Sequence, residues 1–102
     1  MLNINDKVYL HIGQLDRSIN NSNFNKSRLC KILDIKQARA ANGEQVGIYT
    51  LQAIHDKDRV YTVMSNDKLW KMSSVNDLKD VIKESKYDTK TIAEIIDLID
   101  NS

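Results

Sequence analysis

Residues 28–54 read RLCKILDIKQARAANGEQVGIYTLQAI, and this stretch predicts a β-hairpin. Its two arms, 28–36 and 46–54, are rich in the β-branched and aromatic residues that favour strands. Asn42-Gly43 lies between them and supplies the positive φ angles that a tight hairpin turn needs. Residues 38–41 have some helix propensity, so a hairpin tip longer than two residues is the alternative. Alternation slips at Ile32-Leu33, which indicates a β-bulge or a strong bend in the first arm.

Three more strands are predicted on either side of this hairpin. Residues 7–12 alternate cleanly, with Val8, Leu10 and Ile12 on one face. Residues 60–64 and 68–72 are short runs of strand-forming residues, each preceded by a charged or polar turn. Residues 14–27 are polar and have no period, which is typical of a long loop. The sequence therefore predicts five short strands.

The period of the apolar residues changes near residue 73, where helices begin. Ser74 with Asp77 resembles a capping box, and Asp88 or Thr89 can cap a second helix. Apolar residues then recur at helical spacing in two stripes, which are Val75, Leu78, Val81 and Ile82, and Ile92, Ile95, Ile96 and Ile99. We expect two C-terminal amphipathic helices.

These elements predict an α+β fold, a five-stranded antiparallel barrel-like sheet followed by two amphipathic helices. A chain of 102 residues is long enough for one core, so we expect a single domain over 1–102. The barrel would span residues 5–72, with the helical pair at 74–100 packed on it. The pair would cover an open end or an exposed sheet edge, because an uncovered edge invites pairing with other chains.

The strand rhythm resembles small Src-homology-type or Tudor-like β-barrel domains over about residues 5–72. The residues that carry the resemblance are the opening DKVYL at 6–10, the hairpin around Asn42-Gly43 and the short last strand at 68–72. Such barrels are binding modules more often than catalysts. The resemblance therefore implies a domain that binds a partner.

Composition argues against several classes of protein. The net charge is +1, which excludes a chain held to nucleic acid by bulk charge. The sequence has neither the pattern of a signal peptide nor an apolar run long enough for a membrane span, so we predict a cytoplasmic protein without membrane contact. Abundant Lys, Asn and Ile with no Pro indicate an A/T-rich genome, such as that of a low-GC bacterium or its phage.

Catalytic and metal-binding motifs are not evident in the sequence. The three glycines do not form a phosphate-binding loop. His11, His55 and Cys30 lack the spacing of a nucleophile–base pair or a zinc site. We interpret the histidines as surface residues and the single cysteine as a buried small hydrophobe. The sequence thus predicts no enzyme, no catalytic residue, no metal and no cofactor.

The favoured hypothesis is a non-catalytic, regulatory module that binds a partner protein, such as a phage accessory protein that inhibits or redirects a host factor. Tyr, Trp and Arg dominate binding hot spots, and we expect the tyrosines in the strands to point outward. The candidate partner-binding residues are Tyr9, His11, Arg17, Phe24, Lys26, Arg28, Arg39, Tyr49, Arg59, Tyr61 and Trp70. We expect a monomer or a weak homodimer formed through the isoleucine stripe.

The alternative hypothesis is a nucleic-acid-binding regulator. Basic and aromatic residues interleave in two sectors, one around Phe24 and one around Tyr61 and Trp70, and this mixture suits phosphate contact with base stacking. The basic members are Arg17, Lys26, Arg28, Lys31 and Lys36 in the first sector, and Lys57, Arg59, Lys68 and Lys71 in the second.

Overall fold

A computed structural model describes residues 2–12 and 24–102 of the chain. A five-stranded antiparallel sheet is followed by two helices, which confirms the predicted α+β class. The elements are β1 (Lys7–Ile12), a 3-10 turn (Lys26–Arg28), β2 (Leu29–Arg39), β3 (Gln45–Ala53), β4 (Val60–Met64), β5 (Trp70–Ser74), α1 (Val75–Lys83) and α2 (Thr89–Asp100). Most of the loop predicted at 14–27 lies outside the described residues.

The central hairpin forms as predicted, from β2 and β3. Its register shifts between Ile32 and Asp34, which confirms the expected bulge. Residues 38–39 belong to β2, so the tip is the five-residue segment 40–44. Gly43 takes φ 85° in this tip, and its N–H donates to the carbonyl of Ala40 at 2.9 Å. The glycine thus supplies the left-handed backbone that reverses the chain.

The last strand begins two residues later than predicted, at Trp70 instead of residue 68. The cause is the side chain of Asp67, whose Oδ1 accepts the backbone N–H of Leu69 at 2.8 Å and that of Trp70 at 3.3 Å. These bonds hold residues 65–69 in a turn, because Asp side chains readily bond to the backbone two residues on. β5 then pairs with β1, from Ile12 opposite Trp70 onward.

The sheet curls but does not close. Its order is β4-β3-β2-β1-β5, so β4 and β5 are the two outer strands and do not pair with each other. The sheet is therefore curled, but it does not form the closed barrel that "barrel-like" suggests. β5 pairs with β1, and β4 pairs with β3. In a closed barrel the two outer strands would also be joined by hydrogen bonds, but here a gap separates them.

Both faces of the sheet bury apolar side chains. We call the two sides the inner face and the helix face. The inner-face core comprises Val8, Leu10, Cys30, Ile32, Leu51, Ala53 and Val63. The helix-face core combines sheet and helix residues, which are Tyr9, Leu29, Leu78, Ile82, Tyr87, Ile95 and Ile99. Among the described residues, the fully buried members of the inner-face core all belong to strands, so the curl of the sheet brings them together.

The two helices begin at the residues that the sequence indicated. Ser74 caps α1 by accepting the N–H of Asp77, and Asp88 caps α2 by accepting the N–H of Thr91 at 2.7 Å. The last bond lowers the pKa of Asp88, because it favours the charged carboxylate. Among the described residues, neither helix is long and apolar enough to cross a membrane.

The helical pair covers a face of the sheet, where the sequence predicts that it covers an open end or an exposed sheet edge. It packs on the helix face, against Tyr9 of β1 and Leu29 of β2. The reason is that Tyr9 and Leu29 face each other across β1 and β2 and form an apolar patch that the isoleucine stripe of α2 can bury. Consequently, neither of the two described helices shares a core cluster with β4.

Replacing Ile99 with Ala tests this packing. Ile99 is almost fully buried in the helix-face core, so its truncation should reduce the free energy of unfolding by about 2–4 kcal/mol. Chemical denaturation followed by circular dichroism measures the loss. The exposed Glu94→Ala in the same helix is the control and should change stability by less than about 0.5 kcal/mol. Equal stability of the two variants would contradict the packing.

Candidate interaction surface

The outer edge of β4 presents unpaired backbone groups. Arg59 accepts from the N–H of Ala53, and Ser65 donates to the carbonyl of Gly47, so the odd-numbered residues bond to β3. Alternation in an antiparallel strand then directs the N–H and C=O groups of Val60, Thr62 and Met64 outward. Within residues 2–12 and 24–102 no strand pairs with this edge. We call these three residues the β4 edge.

Large apolar side chains lie exposed on and beside the β4 edge. Val60 is 52% exposed, Met64 43% and Leu69, in the following turn, 60%. Among the described residues these are three of only five large hydrophobic side chains that reach such exposure. Their proximity in the chain concentrates the exposed apolar surface at one margin of the sheet, which is typical of a surface that contacts another molecule.

A cleft separates β4 from β5 next to this edge. It encloses about 210 Å³ and is lined by Leu2, Tyr49, Val63, Met64, Ser65, Trp70, Lys71 and Met72. The Tyr49 ring lies over Gly47, where a Cβ atom would approach the ring at 3.1 Å. A side chain at position 47 would therefore displace the ring. The cleft combines aromatic and methionine side chains, which adapt well to apolar ligands.

A cluster of basic and aromatic residues lies next to this cleft, around Trp70. The guanidinium of Arg28 lies 5.2 Å from the centre of the Trp70 ring, a cation–π contact. The Tyr61 hydroxyl donates to the carbonyl of Ser27 at 3.3 Å. A hydrogen bond with Tyr61 raises the pKa of Arg59, which also pairs with Asp56 at 3.6 Å. The structure thus brings together four of the predicted residues.

The remaining predicted residues are dispersed. Tyr49 lines the cleft, while Lys26 is exposed in the 3-10 turn and Arg39 at the far end of β2. Phe24 is half-buried and stacks on Tyr9 with ring centres 5.3 Å apart, so it belongs to the helix-face core. Arg17 lies outside the described residues. The binding residues predicted from composition therefore do not form one surface.

Two predicted surface residues, Tyr9 and His11, are buried. Tyr9 is 2% exposed and lies under the helices in the helix-face core, while His11 is 8% exposed and stacks on the Tyr9 ring with the ring centres 6.4 Å apart. The Tyr9 hydroxyl accepts the N–H of Asn25 at 2.8 Å, and His11 Nε2 is 3.1 Å from the Ser73 hydroxyl. Burial raises the pKa of Tyr9. Both residues are corrected to the structural core and removed from the candidate surface.

The side chains with nucleophilic or ligand chemistry lie apart. Cys30 is fully buried in the inner-face core, as predicted, and burial raises the pKa of its thiol to about 12. His11 is on the helix face, while His55 is exposed and lies 2.9 Å from the Ser102 hydroxyl. In the part of the chain that the structure describes, no cluster of three metal-ligating side chains occurs.

Sequence reasoning did not single out the β4 edge. The strand itself was predicted with the observed bounds, and its alternation showed that Val60, Thr62 and Met64 share a face. The sequence did not reveal that β4 is an outer strand, because strand order depends on the path of the whole sheet. The exposed Leu69 was likewise placed in a strand, where the structure has a turn.

No protein-family model, curated protein or solved structure matches the chain. Any functional proposal for this protein therefore depends on the side chains and the backbone geometry described above.

The buried thiol gives a direct test of the inner-face core. With a pKa of about 12, only about one thiol in ten thousand is ionised at pH 8, so iodoacetamide should alkylate the folded protein very slowly. In urea the same thiol becomes exposed and should react fast. Mass spectrometry measures both rates without ambiguity, since Cys30 is the single cysteine. Equal rates in the two conditions would contradict burial.

Proposed function

We propose that the protein is a non-catalytic binding module that takes an extended segment of a partner protein as an additional strand on the β4 edge. The observation that supports the proposal is the outward direction of the backbone groups of Val60, Thr62 and Met64. An extended peptide can satisfy such groups by antiparallel or parallel pairing, a recurrent mode of peptide recognition.

In the part of the chain that the structure describes, the β4 edge lacks the features that protect most outer strands. Natural sheets guard an edge with lysine, proline, a bulge or a covering element. The sequence VYTVM contains neither lysine nor proline, and β4 pairs with β3 over five successive residues without a register shift. Met64 uses its carbonyl in the following turn, which leaves five of the six outward groups for a partner. This lack of protection favours a binding role.

Side chains around the edge provide for selection of the partner. Val60 and Met64 offer exposed apolar contacts at its two ends, and the cleft lined by Tyr49 and Trp70 lies beside Met64. Main-chain pairing supplies affinity that is independent of sequence, and pockets for side chains supply specificity. We expect a partner segment that pairs along β4 and places an apolar side chain in the cleft.

The size of the surface sets the expected strength of binding. Five residues of strand span about 16 Å, which is short for a stable interface. We therefore expect micromolar affinity and rapid exchange. A module of this kind regulates its partner by occupying the segment that it binds, without altering any bond.

Selection from a random-peptide display library, followed by Thr62→Pro, tests the proposal. The Thr62 N–H points away from β3, so proline at this position should keep the β3 ladder and obstruct a docking strand. Peptides selected on the wild-type protein should bind Thr62→Pro at least tenfold more weakly, from the lost hydrogen bond and the added steric conflict. Fluorescence of Trp70, the single tryptophan, reports binding in the cleft.

Thr62→Val is the matched control, because it retains both the β-branched shape and the backbone N–H. It should bind the selected peptides as the wild-type protein does. A thermal melt of each variant verifies folding. Failure to select any peptide, or equal binding by the proline and valine variants, would refute strand addition at β4.

A second candidate function is nucleic-acid binding, favoured by the cluster of Arg28, Arg59, Tyr61 and Trp70. Guanidinium groups suit phosphate contacts and the aromatic rings suit base stacking. Arg28 already occupies one side of the Trp70 ring, so a base would stack on the other side.

Ionic strength discriminates between the two functions. If the cluster binds single-stranded DNA or RNA, Trp70 fluorescence should titrate with an oligonucleotide, and the affinity should fall steeply with added salt. Binding of a selected peptide on the β4 edge should change little, because its main-chain bonds and apolar contacts are weakly screened. Absence of oligonucleotide binding at low salt would remove this second candidate.

A further inference from the structure

Three lysines gather at one end of the helix face. Lys7 lies directly opposite Lys31 across β1 and β2, and Lys31 lies opposite Gln52 across β2 and β3. Lys57, in the turn that follows β3, is tied to this row because Gln52 Nε2 donates to its carbonyl at 2.9 Å. We call Lys7, Lys31 and Lys57 the lysine cluster.

Two of the three ammonium groups in the lysine cluster have no ionic partner among the described residues. Like charges directly opposite each other on neighbouring strands destabilise a sheet, and Lys7 and Lys31 occupy such a position. Within the described residues, the ammonium groups of Lys31 and Lys57 take part in none of the ion pairs or hydrogen bonds. The carboxylate of Asp56, one residue before Lys57, is engaged with Arg59. The Lys7 ammonium donates to the Ser102 main-chain oxygen.

A cleft opens between these side chains. It encloses about 240 Å³, and its lining includes all three lysines, Gln52, Ile54 and Ser102. Ile54 packs against the helix-face core and provides an apolar wall, together with the hydrocarbon stems of the lysines. The ammonium groups and the Gln52 amide supply donors around it. An apolar interior with cationic donors suits a ligand with an apolar body and an anionic head.

We infer that the lysine cluster binds a small anion that carries a phosphate group on an aromatic or aliphatic body. The phosphate neutralises the opposed lysines and accepts their hydrogen bonds, which are stronger than neutral ones because both partners are charged. The apolar body packs on Ile54. The inference is independent of strand addition on the β4 edge, since it uses the side chains of other residues.

Titration with phenyl phosphate and with inorganic phosphate, followed by 15N–1H correlation spectra, tests the inference. Both should shift the amide signals of Lys31, Gln52 and Lys57 in a saturable manner, and phenyl phosphate should bind about tenfold more tightly because its ring buries apolar surface. Lys31→Gln should weaken phenyl phosphate binding about tenfold. Lys57→Gln should also weaken phenyl phosphate binding. Because Lys57 lies in an exposed turn, this variant shows that the loss does not come from a folding defect caused by the substitution at position 31.

Two controls make the outcome decisive. Sodium chloride at matched ionic strength should not reproduce the shifts. Lys90→Gln removes an exposed lysine at the start of α2, about 15 Å along the helix from its last residue, Asp100, and this variant should bind as the wild-type protein does. Equal shifts with chloride, or equal losses in the position 31 and position 90 variants, would overturn the site. Thr62→Pro should bind phenyl phosphate normally. A negative result in the peptide test therefore does not imply a negative result in the phosphate test, and the reverse holds as well.

Discussion

The extra residue at the bulge of β2 determines which side chains this sheet buries. Ile32 and Ile35 are three positions apart, yet both pack on the inner-face core. A strand of strict period two would place them on opposite faces. The register shift between Ile32 and Asp34 resolves this conflict, and it also bends the strand. Without the bulge, Asp34 and Lys36 would point into the core, and the curl that buries Leu51 and Val63 would be lost.

The parts of the fold that are local in origin could be predicted from the sequence. The Asn42-Gly43 turn, the bulge and both helix caps depend on residues close together in the chain, and each occurs where the sequence indicated it. The late start of β5 was missed because one side chain, Asp67, competes with the sheet for two backbone N–H groups. Such competition depends on a rotamer, which alternation of apolar residues does not reveal.

The candidate surface was less predictable, because exposure is decided by distant parts of the chain. Tyr9 and Tyr61 look alike in the sequence, since each alternates with apolar neighbours in a short strand. The helices follow Tyr9 by more than sixty residues and cover it, whereas Tyr61 stays half-buried against the inner-face core. Composition grouped Arg28 with Phe24 and did not indicate that Arg28 lies over the Trp70 ring, in the sector of Tyr61. Composition could not show that the β4 edge, which contains no Arg, Tyr or Trp, lies unpaired nearby.

The sheet region and the helical pair carry net charges of opposite sign, and this division favours anionic ligands on the sheet. Residues 1–73 contain 11 basic and 7 acidic residues, whereas residues 74–102 contain 4 and 7. The overall charge of +1 therefore conceals a basic sheet and an acidic helical pair. The Lys79–Asp100 ion pair lies within the helical pair and compensates none of the sheet lysines. A partner segment or small ligand that approaches the sheet thus meets positive potential, and acidic groups flanking its apolar residues would strengthen the encounter.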